Sequence, residues 1–600
     1  MLLKPFPRFS KRRVTCLDGL WDFAFLGDVD PSSVNIELLA FDQRIPVPSS
    51  FDSLPAYAGQ RGLAAYRTSF STSEAEIVEI EFEAAGFWAQ PFLDGRSAGS
   101  HACGYSKFAR NWPAVFCGTH TLVVLVDNRF DFSKVPLHES YFDFYQWGGI
   151  TRSVWAHEKP AFFIESVNVI TRNLPAREIE VSVRFGGTSE DVQEVAVYCD
   201  EVAVATRCLD SDATRLCLTH CLSDSQPWDC AHPELHILRV VVGDDDMIIR
   251  FGIRTICVSD GRVLLNNEPL KLFGFNRHES HPQFGCSLPL TLLASDVMWL
   301  KRMNCNFVRG AHYPQDQRFL DLCDEAGILV WEEGLGWGQK AEQLQAPHFE
   351  SAHRNMIHEM IDASFNHPSV ICWGFLNEAA TNSEDIRSIM ESTVRLIREL
   401  DCSRLVTYAS MFPKEDCYFD LVDIVSVNLY PGWYGCLDNP APLELIRPSM
   451  RDVAAFLYKA HGKPLIISEI GCEALYGWRD PLNGFYTEHY QGEYLQEAIL
   501  EVIENPEITG IAIWHFSDAR TYSSGRAISR PRAFNNKGVL DEYRRPKESM
   551  GVVSRLFASA ESSVEARNSA PTGKPATILS MPSNAHSEAQ RNNRIQVMPV

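Results

Sequence analysis

Short apolar runs broken by Gly, Asp and Pro fill the first third of the chain. Residues 17–26 (LDGLWDFAFL), 64–70, 77–83, 87–93 and 119–126 alternate or run apolar. A period near two in segments this short predicts strands, and many such strands without helical periods predict a β-sandwich. Residues 162–172, 177–185, 193–199, 214–221 and 235–242 repeat the pattern. They predict a second, smaller sandwich that starts after the Lys159-Pro160 break and ends near Val258.

From about residue 260 the apolar runs alternate with amphipathic segments. The runs are 270–276, 305–313, 327–333, 370–378, 405–410, 424–430, 464–471 and 508–516. Helical periods lie between them, for example over 291–303, 316–326, 350–365 and 383–399. Eight β–α alternations over about 300 residues predict a (β/α)8 barrel, a fold of typically ~250 residues. From about Ser559 onward the chain is rich in Ser, Ala, Asn and Pro and loses its apolar periodicity, which predicts a disordered tail over 559–600.

A (β/α)8 barrel carries its chemistry at the C-terminal ends of its strands. Those ends supply Asn276, Arg277, His278, Arg309, His312, Tyr313, Glu332, Glu333, Asn377, Glu378, Asn428, Tyr430, Glu469, Trp514 and His515. Carboxylates, amides and aromatic rings in this proportion suit sugars, which have apolar faces and a rim of hydroxyls. Two facing carboxyl groups about 5–5.5 Å apart are what a retaining glycosidase requires. Glu332, Glu333, Glu378 and Glu469 all end strands, so position alone leaves the pair open.

Composition narrows the partners. The formal net charge of −22 argues against nucleic acid and anionic membranes, which need a positive surface. No stretch approaches the ~20 apolar residues of a membrane span, and MLLKPFPRFSKRR lacks the apolar centre of a secretory signal. The 17 cysteines are scattered, without the spacing of zinc sites or a disulfide framework, and a cytoplasmic, reduced location is expected. No metal or cofactor is expected. The segment His278-Glu279-Ser280-His281 lacks the helical i, i+4 spacing of HExxH, and His348, His353 and His358 read as ordinary helix residues.

The segments GFNRHESHP (274–282), NFVRGAHYPQD (306–316), WGFLNE (373–378), NLYPGWY (428–434), ISEIG (467–471) and WHFSD (514–518) occur in that order. Together they resemble glycoside hydrolase family 2, which includes β-galactosidases, β-glucuronidases and β-mannosidases. LDGLWDF (17–23), FLDG (92–95), VDNRF (125–129) and DFYQWGGITRSVW (143–155) resemble its N-terminal sugar-binding sandwich, and QPWDCAHPELHIL (226–238) and RFGIRTI (250–256) its middle domain. The resemblance implies a jelly-roll-like sandwich over 1–159, an immunoglobulin-like sandwich over 160–258 and a catalytic TIM barrel over 259–558. It implies that Glu378 is the acid/base and Glu469 the nucleophile. Asn377 would then bond the sugar 2-hydroxyl, Tyr430 would orient Glu469, and Trp514 would pack on the sugar. Arg309, His312 and His278 would line the pocket floor. Relatives commonly form homo-oligomers.

Within the family, NLYPGWY, with its Tyr434, and AFNNKG (533–538) resemble the β-glucuronidases. Asn535 and Lys537 would grip a uronate carboxylate through charge-assisted hydrogen bonds. Two departures bear on the sugar. Ser280 stands where an acidic residue that binds sugar hydroxyls is usual, and Arg520 replaces the usual residue after the eighth strand. The implied activity is hydrolysis of terminal β-D-glucuronides by double displacement, with a β-galactosidase or β-galacturonidase as the alternative. A non-catalytic carbohydrate-binding barrel is the remote third.

Overall fold

A computed structural model describes residues 6–73, 75–210, 213–522 and 530–568. The chain is a β-rich N-terminal region followed by a closed eight-stranded parallel barrel. The first part is a sandwich. Its six-stranded sheet, built on residues 19–27, 63–72 and 118–127, faces a four-stranded sheet containing residues 75–82, 108–115 and 154–159. Trp21, Phe23, Tyr66, Ile80, Phe82, Val124 and Val126 fill the space between them. These residues recur every second position, so each strand sends one face inward.

A smaller pair of antiparallel sheets follows. Residues 162–173, 178–187 and 215–221 form one, and residues 193–199, 202–209, 236–242 and 245–251 the other. Ile179, Val181, Val183, Val195, Val197 and Val240 close its core. The N-terminal arm ties the two sandwiches together: Arg12 Nε donates to Asp245 Oδ1 at 2.7 Å with both side chains buried.

The barrel strands are β1 (Leu272–Asn276), β2 (Phe307–Gly310), β3 (Leu329–Glu333), β4 (Val370–Asn377), β5 (Leu405–Ser410), β6 (Val425–Asn428), β7 (Leu465–Ile470) and β8 (Ile508–Ile513). They pair in chain order and β8 closes on β1. Almost every strand residue is buried because both faces are covered, by the barrel interior and by the outer helices. Those helices are α1 (Leu290–Arg302), α2 (Gln317–Ala326), α3 (Pro347–Ser364), α4 (Arg387–Leu400), α5 (Ile446–His461), α6 (Glu488–Glu504) and α7 (Glu548–Asn568). Local sequence sets their ends. Asp316 caps α2 by accepting from Arg318 N, and Gly327 ends it at φ +67°, where a Cβ would stand 2.4 Å from Cys230 O.

Two expectations change. The crossover from β5 to β6 has no helix among its residues 411–424; turns and the buried Tyr418 and Phe419 cover the barrel there. The C-terminal segment does not lose structure at residue 559. Helix α7 runs to Asn568, and Phe557 and Ala560 are buried in the barrel core cluster, so packing holds a segment whose composition lacks periodicity. Residues 569–600, the rest of the expected tail, lie outside the described residues. None of the described helices is long and apolar enough to cross a membrane.

The segment after β8 is tied to the barrel by charge. Asp296 on α1 accepts from Arg277 Nε and Nη2 at 3.0 and 2.9 Å and from Arg544 Nε at 2.8 Å. All three side chains are buried. Burial alone would raise the Asp296 carboxyl, but the two guanidiniums hold it below its ordinary value. Replacing one partner of a buried ion network strands the others without solvent, at a cost of about 3–5 kcal/mol. Asp296→Ala is therefore expected to lower the free energy of barrel unfolding, measured by urea titration, by that amount, and a loss under about 1 kcal/mol would contradict the role given to this triad.

Candidate active site

Strands β4, β6 and β7 end around one cavity of about 400 Å³ at the C-terminal mouth of the barrel. Tyr141, Asp143, Trp337, Glu378, Met411, Asn428, Tyr430, Tyr434, Glu469, Trp514 and Arg530 line it. Its size falls in the range of small-molecule sites, roughly 300–1,000 Å³. Glu378 and Glu469, the two glutamates singled out by motif, both face it.

Glu378 follows β4 directly and holds φ +50°, a left-handed conformation that costs a non-glycine residue on the order of 1–3 kcal/mol. Its backbone N–H donates to Ala409 O at 2.9 Å, and its Oε1 receives the Asn428 amide at 3.0 Å. Glu469 lies one residue from the end of β7. Its Oε1 accepts from Arg309 Nη1 at 3.0 Å and its Oε2 from the Tyr430 hydroxyl at 2.7 Å. Burial, then the neighbouring Glu378, push the Glu469 carboxyl up to about 8, while Arg309 and Tyr430 pull it down. Gly471 lets the next turn close: a Cβ there would stand 2.2 Å from Trp514 O.

Arg309 on β2 organises the floor. It is fully buried over the Trp331 ring and donates to Glu333, Asn276 Oδ1, Glu469 and Asn377 Oδ1. Asn377 Oδ1 also receives Asn428 Nδ2 at 3.1 Å, so the buried Asn377 Nδ2 is left without a partner. His312 turns Nδ1 to Glu333 Oε1 at 2.8 Å and stacks on Trp514 at 5.1 Å; its Nε2 is 3.8 Å from Glu469. His278 lies behind, edge-on to Trp514, with Nδ1 at 3.3 Å from the Tyr313 hydroxyl. Burial lowers both imidazoles well below their ordinary values, which keeps them neutral.

The other strand-end acids point elsewhere. Glu332 accepts from Gln315 N at 3.0 Å, away from the cavity, and burial pushes it up to about 7. Glu333 is consumed by Arg309 and His312.

The wall opposite the strand ends is built from distant segments. Lys537 Nζ donates to the Tyr434 hydroxyl at 2.9 Å, and Arg530 Nη2 donates to the same oxygen at 3.0 Å. Arg530 also bonds Glu473 and, through Nε at 3.0 Å, Asp143. Asn535 Nδ2 donates to Asp143 Oδ2 at 2.9 Å, while the buried Asn535 Oδ1 has no partner. Asn535 and Lys537 therefore reach the cavity through Asp143 and Tyr434. Arg520 does not line it. Its guanidinium lies over the Tyr145 and Trp147 rings at 4.2 and 5.0 Å, because its strand (residues 519–520) pairs with residues 534–535 and turns the side chain to the N-terminal sandwich. Ser280 is absent from the lining as well, and its carbonyl accepts from Arg544.

Sequence reasoning missed Asp143, Arg530, Tyr141, Trp337 and Met411 in this cavity. Asp143 and Tyr141 come from the N-terminal region, whose loop reaches the barrel mouth. Phe144 anchors that loop by stacking on His278 at 4.8 Å, and Arg152 follows by donating to Glu279 Oε2 at 3.0 Å. The DFYQWGG segment was the available signal, but nothing local shows that it leaves its own sandwich. Outside the cavity, Asp321, Asp324 and His367 bring potential metal ligands within 4.8 Å of one another. Arg250 occupies Asp321 Oδ1, and His367 Nδ1 and Ser369 N occupy both oxygens of Asp324, which makes the cluster a hydrogen-bonded ion network.

Comparison with known proteins agrees with this geometry. The profile of the family described as glycosyl hydrolases family 2, TIM barrel domain, matches residues 256–561. A β-glucuronidase of Streptococcus agalactiae is 27% identical over 593 residues, covering 90% of this chain and 96% of its own. The crystal structure of a family 2 β-galacturonidase from Eisenbergiella tayi bound to galacturonate is 32% identical, with a TM-score of 0.85 over 93% of this chain and 99% of the other. A Bifidobacterium dentium β-glucuronidase complexed with coumarin-3-O-glucuronide shares the fold, with a TM-score of 0.83 at 24% identity over 91% and 97% of the two chains. The family profile, matched over half the chain at a barrel mouth whose cavity two glutamates line, makes this protein a member of glycosyl hydrolase family 2 and an O-glycosyl hydrolase.

Proposed function

We propose that this chain is a retaining exo-β-uronidase that removes terminal β-D-glucuronic acid from glucuronides. The observation that carries the uronate reading is the cationic wall: Lys537 and Arg530 converge on one neutral oxygen, the Tyr434 hydroxyl, at the edge of the cavity. A sugar carboxylate can take the place of that weak acceptor with charge-assisted bonds. The unpartnered Asn377 Nδ2 is a donor suited to a 2-hydroxyl, and Asp143 supplies the acid for sugar hydroxyls that is missing at Ser280.

In this reading Glu469 attacks the anomeric carbon and Glu378 protonates the leaving oxygen. Burial and the neighbouring Glu378 raise the Glu469 carboxyl, and the Arg309 guanidinium and Tyr430 phenol oppose that rise and favour the anion a nucleophile needs. The trapped glycosyl ester is then hydrolysed with Glu378 acting as base, and the anomer first released is β.

A second reading, β-galacturonidase, is favoured by the 32% identical Eisenbergiella tayi structure with galacturonate. It keeps the cationic wall and changes only the 4-hydroxyl. It draws no support from Ser280 or Arg520, which lie outside the cavity. β-Glucuronidases recur among the curated relatives, at 26% identity over 92% of this chain for the mouse enzyme, which sets the order of the two readings.

Matched p-nitrophenyl glucuronide, galacturonide and galactoside separate them. The glucuronide is expected to give the highest kcat/KM; a galacturonide preference selects the second reading, and a galactoside preference sinks both. Lys537→Ala removes one charge-assisted bond, worth about 1.5–3 kcal/mol, and should lower kcat/KM for uronides about 10–100-fold while sparing the galactoside. Equal losses on both sugars would reject the carboxylate contact.

Glu469→Gln should lower turnover by roughly 10³-fold or more, since an amide is no anionic nucleophile. Tyr430→Phe removes a donor that favours the Glu469 anion. The Glu469 carboxyl then rises further, and the acid limb of the pH–rate profile is expected to move to higher pH. A limb that stays in place would separate Tyr430 from Glu469 ionisation.

A further inference from the structure

Asn428 ends β6 with its amide between the two halves of the site. Its Nδ2 lies 3.0 Å from Glu378 Oε1 and 3.1 Å from Asn377 Oδ1, both of them acceptors. Its Oδ1 lies 2.8 Å from Ser468 Oγ. The orientation of this amide follows from its partners. Turned over, Asn428 would set its oxygen against a carboxylate and a carbonyl, and its NH2 against a hydroxyl. Held as observed, the Ser468 hydroxyl must donate, because Asn428 Oδ1 has no proton to give. Asn377 is fixed in turn. Its Oδ1 receives Arg309 Nη2 at 2.8 Å together with Asn428 Nδ2, so its own NH2 has no partner in the barrel.

We propose that Ser468 is a positioning residue: by donating to Asn428 Oδ1, its hydroxyl holds the amide in the orientation that turns Nδ2 to Glu378 and Asn377 Oδ1. The inference rests on the reading of Glu378 as acid/base. Ser468 is buried beside Glu469 on β7 and touches neither the cavity nor Glu378. Its backbone carbonyl accepts from Asn276 Nδ2 at 2.8 Å, which pins the strand and leaves the hydroxyl to the relay. A serine preceding the nucleophile thus sets the hydrogen bonding of the proton donor on β4, three strands away.

The relay has a titration signature. A donor to an anion favours the anion, so Asn428 Nδ2 lowers the proton affinity of Glu378. The charged and titratable groups that line the cavity with Glu378 are Glu469 on β7, Tyr430 and Tyr434 after β6, and Asp143 and Arg530 across the cavity. None of them makes a hydrogen bond to the Ser468 hydroxyl, whose partner is Asn428. Without it, Asn428 Oδ1 loses its partner and the amide is free to turn away from Glu378. The Glu378 carboxyl then holds its proton to higher pH.

The experiment is the pH dependence of kcat/KM and kcat on an aryl uronide for the wild type, Ser468→Ala, Ser468→Thr and Asn428→Asp, with Ser468→Ala repeated in a Glu378→Gln background. Ser468→Ala should lower kcat about tenfold with little change in KM and move the basic limb to higher pH; Ser468→Thr, which keeps the donor, should restore both. Asn428→Asp replaces the donor with a like charge and should move the limb further in the same direction. In the Glu378→Gln background Ser468→Ala should cost far less than in the wild type. A basic limb unmoved by both Ser468→Ala and Asn428→Asp would overturn the relay, and so would an equal loss in both backgrounds. A Glu378→Gln enzyme that keeps wild-type activity and its basic limb would instead overturn the acid/base reading.

Discussion

The Arg309 guanidinium is the interaction around which the barrel mouth is arranged. It is fully buried and spends its N–H donors on protein acceptors, since an unpaired buried charge is among the costliest defects a fold can carry. Two donors go to Glu333 in bidentate form, and the others to Asn276, Asn377 and Glu469. These acceptors come from β1, β3, β4 and β7, so satisfying one residue fixes the relative rotation of four strands. Glu333 supplies the neutralising charge, which leaves the contact to Glu469 as a bias on ionisation rather than a saturated ion pair. The opposing pressures on Glu469 follow from this. Burial and Glu378 raise it, and Arg309 and Tyr430 lower it.

The amides turn this charge arrangement into directed hydrogen bonding. Asn276, Asn377 and Asn428 each accept at Oδ1, from Arg309, from Arg309 with Asn428, and from Ser468 respectively. Each amide nitrogen then points where its partner does not. For Asn276 that is the backbone of β7 and β8; for Asn428 it is Glu378; for Asn377 it is the reacting sugar in the reading proposed above. A carboxylate at these positions would accept but could not donate onward, which is why the floor uses asparagine.

Much of this was legible in the sequence, and what was not has a physical reason. All eight barrel strands and four outer helices follow from apolar periodicity, because that periodicity is the local trace of burial on known faces. The missing helix between β5 and β6 was not legible, since Tyr418 and Phe419 cover the barrel without any period. Helix α7 past residue 559 is held by Phe557 and Ala560 against the barrel, a tertiary effect that composition does not record. Motif order singled out Glu378 and Glu469 from four strand-end acids, and the geometry shows why Glu332 and Glu333 differ: one faces Gln315 and the other is tied to Arg309. Asp143 and Arg530 escaped because each is defined by the other. Separated by almost 400 positions, they meet only when the N-terminal loop folds over the barrel.

In the uronidase reading proposed above, a chain of net charge −22 has to hold an anionic sugar. Charges more than about 8 Å away are largely screened at physiological ionic strength, so the overall acidity is felt weakly inside a cavity whose own charges lie in contact. Around the Tyr434 hydroxyl those charges are Lys537 and Arg530, balanced by Glu473 and Asp143. The balance matters. Two bare buried cations would be unstable without ligand, and two fully paired ones would offer nothing to a carboxylate. Sharing Tyr434 OH between them leaves each with one bond to a weak neutral acceptor, and that bond is the one an incoming carboxylate can replace without breaking an ion pair. The N-terminal region, by supplying Asp143, therefore completes the electrostatics of the barrel's own site.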